Sequence, residues 1–287
     1  MMVIDVLGLA EPRIRPVDEP MIYADDLAAV RGDGVFETLM LRGGTVHNLE
    51  RHARRFERSA AMLDLPAPDL ERWVEATQLA AKTFTEADEA ALRWVYSRGR
   101  ESSTVPTGWI TVAPVGAKVL NARANGVRVM TAERGFSLDV SNDSPWALIG
   151  AKTLSYAANM AALRTAAARG FDDVIFVIGT GDEARVLEGP TSSVIAVRGN
   201  RILTPPADEG ILAGTSQASL FSLAEESGWE VGYSPLTVGD LRAADGVWLL
   251  SSVRIQARVT AIDGRDMPRP EQADRIEELA RSAVAGS

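Results

Sequence analysis

Lys152 is one of only three lysines in a chain that carries twenty-seven arginines. It sits in Gly150-Ala151-Lys152-Thr153-Leu154-Ser155-Tyr156, just ahead of an alanine-rich stretch. Thirty-six residues further on, Glu188 stands in Val186-Leu187-Glu188-Gly189-Pro190-Thr191-Ser192-Ser193, at the edge of an apolar run. An unprotonated lysine amine adds to an aldehyde and holds it as a Schiff base. A carboxylate set against a basic ring nitrogen keeps a proton there, so that the ring can accept electrons.

An aldehyde-bearing pyridine cofactor also needs an anchor, and Gly210-Ile211-Leu212-Ala213-Gly214-Thr215-Ser216 has the composition of a phosphate cup. Gly214 allows close approach, Thr215 and Ser216 supply hydroxyls, and a helix starting there points its amide dipoles at an anion. Ser251 and Ser252, at the end of an apolar strand, add hydroxyl donors, and Arg55 offers a planar fork for a dianion. Together these residues suggest pyridoxal 5'-phosphate. Singly, each has a commonplace reading: a solvated lysine, a turn glutamate, a capped helix, an arginine on a basic helix face.

The composition narrows the alternatives. With no cysteine, disulfides, thiolate metal sites and cysteine nucleophiles are excluded, and two histidines, His47 and His52, are too few for most histidine-rich metal sites. No metal is expected. A net charge of −9 without a basic tail argues against nucleic acid as the main partner. No apolar run is long enough to span a bilayer, and Met1-Met2-Val3-Ile4-Asp5 lacks the charge and apolar stretch of a secretory signal, so no membrane association and a cytoplasmic location are the expectation.

The elements that must position these groups follow from periodicity. Val35–Arg42 alternates as a strand, Gly43-Gly44 turns it, and Asn48 is expected to cap a helix over 49–63. Pro66-Ala67-Pro68 ends that helix, and Asp69 caps another running to about Phe84. Strands follow over 91–97 and 109–114. The aperiodic stretch 117–126 is expected to link a small N-terminal α/β domain, 1–116, to a larger C-terminal domain, 127–287. In the second half the pattern predicts strands over 127–131, 173–178, 185–187, 193–198, 201–203, 247–251 and 253–262. It also predicts helices over 154–169, from Thr215 or Ser216 to Gly228, and over 271–284. Lys152 would then sit at the mouth of a helix. The class is mixed α/β.

Taken together, the motifs resemble the class IV pyridoxal phosphate enzymes: branched-chain aminotransferases, D-amino acid aminotransferases and aminodeoxychorismate lyases. The likeness runs from about Met21 to Pro268. Gly32-Asp33-Gly34-Val35-Phe36-Glu37-Thr38 is similar to the family's opening motif. His52-Ala53-Arg54-Arg55-Phe56 with Ser59 is similar to its His-x-x-Arg-Leu-x-x-Ser helix. The resemblance implies Arg55 as the phosphate arginine, Lys152 as the Schiff-base lysine, Glu188 at the pyridine nitrogen, and the amides of Thr215 and Ser216 on the phosphate. It also implies a two-domain fold type IV architecture with a barrel-like larger domain, the cofactor in the interdomain cleft, and a homodimer.

Within the family, the residues lean toward aminodeoxychorismate lyase, which releases 4-aminobenzoate and pyruvate. Phe36 stands where D-amino acid aminotransferases tend to carry tyrosine, and their Arg-x-His carboxylate trap is not visible near Thr104-Val105-Pro106. Arg93 takes the place of a lyase lysine that contacts a carboxylate. A strand-edge salt bridge is an equal reading of Arg93. Arg31 replaces the usual tyrosine and could bind a substrate carboxylate, and Tyr156 could reach the cofactor's phenolic oxygen or simply pack. A class IV aminotransferase acting on D-amino or branched-chain amino acids is the second reading.

Overall fold

The computed structural model describes residues 1–135 and 144–285, and these form two compact units. The first comprises 1–116 together with 151–156; the second comprises 117–150 and 157 onward. The class is mixed α/β, as the alternating pattern implied.

The first unit is built on an antiparallel sheet. Its strands are β1 (Met2–Asp5), β2 (Arg13–Arg15), β3 (Gly34–Arg42), β4 (Thr45–Val46), β5 (Glu89–Ser97) and β6 (Thr107–Pro114), in the order β2-β1-β6-β5-β3-β4. A short helix α1 (Leu27–Val30) precedes β3. Helices α2 (Leu49–Met62) and α3 (Leu70–Thr83) cover one face. Alternation along β3 sends Val35, Leu39 and Leu41 inward to α2, and opposite them in register β5 sends Tyr96, Leu92 and Ala90. The centre is aromatic: Phe56 of α2 meets Trp73, Trp94 and Tyr96 with ring centroids 4.9, 5.3 and 6.0 Å apart. The indole of Trp94 donates to Thr77 Oγ1 at 2.8 Å, so its polar edge is satisfied inside the core.

The second unit opens with α4 (Ala117–Asn125), a helix where the sequence reading expected a linker over 117–126. Its pattern carries little amphipathic signal, and among its residues Ala122 alone is buried. Then follow β7 (Val127–Glu133), α5 (Ala157–Ala168), β8 (Asp173–Ile178), β9 (Arg185–Val186), β10 (Ser193–Arg198) and β11 (Arg201–Thr204). After these come α6 (Thr215–Glu226), β12 (Glu230–Tyr233), α7 (Val238–Arg242), β13 (Gly246–Ser251), β14 (Ile255–Ile262), β15 (Arg265–Asp266) and α8 (Ala273–Ala285). Among the described residues the sheet order is β12-β11-β10-β13-β14-β7-β8-β9, with β15 beside β14. β8 reads as one apolar run because both its faces are covered. Ile175 and Val177 enter one core with Val129, Val194 and Leu249, while Val174 and Phe176 enter another with Leu187 and Ile211. Among the described residues no helix is long and apolar enough to cross a membrane.

Two boundaries depart from the sequence reading in ways that matter for the site. The helix expected over 154–169 begins at Ala157, and just before it Thr153 forms an antiparallel bridge with Val35. β4 pairs with β3 only at Leu41 and Arg42, so the other end of that β3 edge offers unpaired backbone groups. Residues 152–154 take them: Phe36 N donates to Lys152 O at 3.0 Å and Leu154 N donates to Gly34 O at 2.8 Å. Asn48, expected as a side-chain cap, lies in the left-handed region at φ 57° and makes no side-chain cap bond. Asparagine tolerates that conformation better than most residues.

Gly34 is where this annexed segment comes closest. A Cβ there would lie 2.5 Å from the Tyr96 carbonyl oxygen and 2.8 Å from Leu154 Cδ1. Gly34→Ala is expected to cost about 1–3 kcal/mol by overpacking, read as a lowered urea midpoint with an unchanged slope.

Candidate active site

β3 presents neighbouring residues to opposite sides, and both sides carry polar chemistry. On the helix-covered side Glu37 is fully buried. Its Oε1 accepts from Arg55 Nε at 2.6 Å, and its Oε2 accepts from Arg55 Nη2 at 2.7 Å and from His52 Nδ1 at 2.6 Å. His52, Arg55, Phe56 and Ser59 lie on the buried face of α2, at the spacing that stacks side chains on one helix stripe. Burial alone would push the Glu37 carboxyl up. The Arg55 and His52 groups outweigh burial and hold it well below the usual carboxylate range. Burial also pulls His52 below its ordinary value, against the opposing pull of Glu37, whose carboxylate its Nδ1 meets.

On the other side of β3 stands Lys152. Its main chain is clamped twice: its N–H donates to Ser59 Oγ at 3.1 Å and its carbonyl accepts from Phe36 N. The amine Nζ lies 4.5 Å from the Phe36 ring centroid and 5.8 Å from that of Tyr156. These two rings meet edge to face at 5.2 Å. The Arg93 guanidinium carbon lies 5.9 Å from the same Phe36 centroid, so the two cations are no more than about 10 Å apart. In register, Phe36, Val95 and Trp109 line up across β3, β5 and β6, and Thr38, Arg93 and Thr111 form the next row. Opposed residues share a face, so Arg93 sits beside an apolar row on the side that carries the amine. Arg31 is exposed and lies 3.8 Å from Glu101.

The second unit brings Glu188 and the cup together through one loop. Glu188 follows β9, and its carbonyl accepts from Phe176 N at 2.8 Å. The turn behind it passes through Gly189, where a Cβ would displace the Ser192 hydroxyl and crowd the Val174 carbonyl at 3.1 Å. The Glu188 carboxylate accepts from Leu212 N at 3.2 Å, and Leu212 lies two residues before Gly214, which opens α6. Gly214, rather than Thr215 or Ser216, is the N-cap, and it brings no side-chain cap. A Cβ on it would collide with Ser193 Oγ. Thr215 and Ser216 fill the first turn and are both buried. The Ser252 hydroxyl lies 3.5 Å from Thr215 Oγ1 and 3.4 Å from Ser216 Oγ. Ser251 is paired with Ile255 at the base of the same hairpin. A helix start with no side-chain cap and three converging hydroxyls has the donors that a phosphate dianion requires.

Two features escaped the sequence reading. Glu37 appeared there only as a motif letter, yet it is the counter-charge of Arg55, and one edge of the guanidinium proposed for a phosphate is committed to it. Ser59 likewise appeared only in a motif, and its hydroxyl seats the Lys152 main chain. The readable signal was the buried stripe of α2, where His52, Arg55 and Ser59 interrupt an apolar face. Among the described residues no group of acidic and histidine side chains could hold a metal.

Residues 34–262 match the model of the family Amino-transferase class IV. The chain belongs to the class IV aminotransferases. A relative from Mycobacterium tuberculosis, named bifunctional aminodeoxychorismate lyase / D-amino acid transaminase, is 47% identical over 274 residues, covering 92% of this chain and 94% of its own. A hypothetical aminotransferase from Mycobacterium tuberculosis, solved in a PLP-bound form, has a TM-score of 0.95 and 45% identity over 100% of this chain and 99% of its own. The fold IV transaminase CpuTA1 from Curtobacterium pusillum has a TM-score of 0.91 and 39% identity, over 99% and 97% of the two chains. For this class IV aminotransferase, the groups that the sequence singled out fall into two sets. Lys152, Tyr156, Phe36, Arg55, Arg31 and Arg93 are in the first unit, and Glu188, Gly214, Thr215, Ser216, Ser251 and Ser252 are in the second.

The buried charges make two predictions. Glu37→Gln leaves Arg55 buried without its counter-charge, and is expected to cost about 3–5 kcal/mol of folding free energy in urea titrations. Both histidines have folded pKa values lowered from 6.5, His52 and His47 alike chiefly by burial. The unfolded chain therefore takes up protons first as pH falls. Stability is whole above pH 6.5 and declines below it, by up to about 1.4 kcal/mol per pH unit for each histidine. Thermal midpoints between pH 8 and 5 are expected to show this decline, and a His47→Gln, His52→Gln double variant to flatten it.

Proposed function

We propose that this class IV aminotransferase uses pyridoxal 5'-phosphate to cleave 4-amino-4-deoxychorismate into 4-aminobenzoate and pyruvate, a step that feeds folate biosynthesis. Transamination of D-amino acids is the second reading, and one site could support both. The observation that carries the proposal is the 47% identity, over nearly the whole chain, to a relative named for both activities. The side chains fit the cofactor. The uncapped start of α6 with the Thr215, Ser216 and Ser252 hydroxyls suits the phosphate. Glu188, held by Leu212 N, suits the pyridine nitrogen, and Lys152 suits the aldehyde.

When bound, the cofactor supplies an aldehyde that captures an amine and a protonated ring that takes up an electron pair. The chain supplies the rest. Lys152 would hold the cofactor through its amine, and that same amine, when free, would serve as the base at the substrate carbon bearing nitrogen. The double clamp on its main chain confines the swing to the side chain, over the Phe36 ring. Glu188 keeps the proton on the ring nitrogen. Arg55, whose other edge is braced by Glu37, adds charge toward the phosphate. Arg93 takes a substrate carboxylate remote from the reacting carbon, beside the apolar row of Phe36, Val95 and Trp109 on which a ring can lie. Tyr156 and Arg31 complete the proposed set, and the working enzyme is proposed to be a homodimer.

Purified enzyme mixed with 4-amino-4-deoxychorismate is expected to release 4-aminobenzoate and pyruvate in equal amounts. Turnover of D-alanine with 2-oxoglutarate and none of the chorismate derivative reverses the ranking. Lys152→Ala is expected to abolish both reactions while circular dichroism is unchanged. Arg93→Ala is expected to raise KM for the chorismate derivative about tenfold or more, the worth of one charge-assisted contact, with a smaller change in kcat.

A further inference from the structure

The hairpin that presents Ser252 is held by more than its own turn. Ser251 pairs with Ile255, leaving the loop Ser252-Val253-Arg254 between them. Ile255 closes this loop at φ +64°. Three-residue hairpin loops usually place glycine in that left-handed conformation, and a β-branched residue there is strained unless its surroundings dictate it. The surroundings do. Arg123 of α4 reaches over the loop, donating from Nε to the Arg254 carbonyl at 3.1 Å and from Nη2 to the Val253 carbonyl at 2.5 Å. Gln256 Nε2 in turn donates to the Arg123 carbonyl at 3.1 Å.

Arg254 extends the brace. Its Nη1 donates to Asp173 Oδ2 at 2.6 Å, with both side chains largely buried, and its Nη2 donates to Thr191 Oγ1 at 3.2 Å. Asp173 opens β8, the strand that accepts and donates along Leu187 and Glu188. Thr191 lies in the turn that follows Glu188. One guanidinium thus ties the loop bearing Ser252 to both the strand and the turn that set Glu188.

We propose that Arg254 is a positioning residue for the cofactor site, holding the Ser252 hydroxyl against the start of α6 in register with the Glu188 turn. The proposal rests on the pyridoxal phosphate reading above. Its mark is selectivity: the loop serves the phosphate, so losing its brace weakens the phosphorylated cofactor and spares the dephosphorylated one.

The test starts from purified holoenzyme, strips the cofactor, and titrates wild type, Arg254→Leu, Arg254→Lys and Thr191→Val with pyridoxal 5'-phosphate and separately with pyridoxal, followed by absorbance. The expected result is a Kd for pyridoxal 5'-phosphate raised about tenfold or more in Arg254→Leu, a change for pyridoxal of about threefold or less, and partial recovery in Arg254→Lys. Thr191→Val, which leaves the ion pair in place, is expected to give a smaller shift of the same selectivity and supplies the answer if Arg254→Leu does not fold. Equal weakening of both ligands in the folded variants, or no change in either, overturns the proposal. Wild type that takes up neither ligand overturns instead the cofactor reading on which it rests.

Discussion

A carboxylate buried in the core of the first unit organises what surrounds it. Glu37 has no solvent to stabilise its charge, so the fold must answer it, and Arg55 and His52 do. Satisfying that charge fixes the turn and height of α2 against β3. One helical turn beyond Arg55, Ser59 then comes to the place where its hydroxyl receives the Lys152 N–H. The residue before Glu37 points the opposite way along the pleat, and Phe36 gives its N–H to the Lys152 carbonyl and its ring to the amine. The Lys152 side chain hangs from a backbone whose position is traced, contact by contact, to one hidden ion pair.

The second unit solves a different problem with equal economy. The Glu188 carboxylate and the start of α6 keep a set spacing, and both are governed by the short run from Ile211 to Gly214. The Leu212 amide holds the carboxylate of Glu188, and two residues later the chain opens α6. Gly189 and Gly214 stand at close approaches, where a Cβ would displace the Ser192 and Ser193 hydroxyls.

The groups proposed for the chemistry were legible because they are rare or clustered residues. Lys152 stands out by scarcity, and Gly214-Thr215-Ser216 and Glu188-Gly189 are local runs whose geometry is set within a few residues. What escaped depends on pairing across long separations. A glutamate inside an alternating strand looks like any inward or outward position until its partners on a helix fifteen and eighteen residues away are known. Residues 154–156 read as the start of a helix because an alanine-rich segment follows, but Leu154 N is bound to Gly34 O on the unpaired edge of β3 and the helix starts only at Ala157. The helix α4 went unseen because so little of it is buried, leaving no apolar stripe to read.

The six residues around Lys152 belong to the first unit, although they are encoded in the middle of the second. The polypeptide therefore passes from one unit to the other three times, after residues 116, 150 and 156. A gene fragment ending at 116 would encode nearly all of that first unit but not the segment that carries Lys152. Chimeras spliced there from two related enzymes would set one parent's lysine segment against the other parent's β3 and α2, so the seam for exchanging parts between family members has to be drawn around this inserted segment rather than at residue 116 alone.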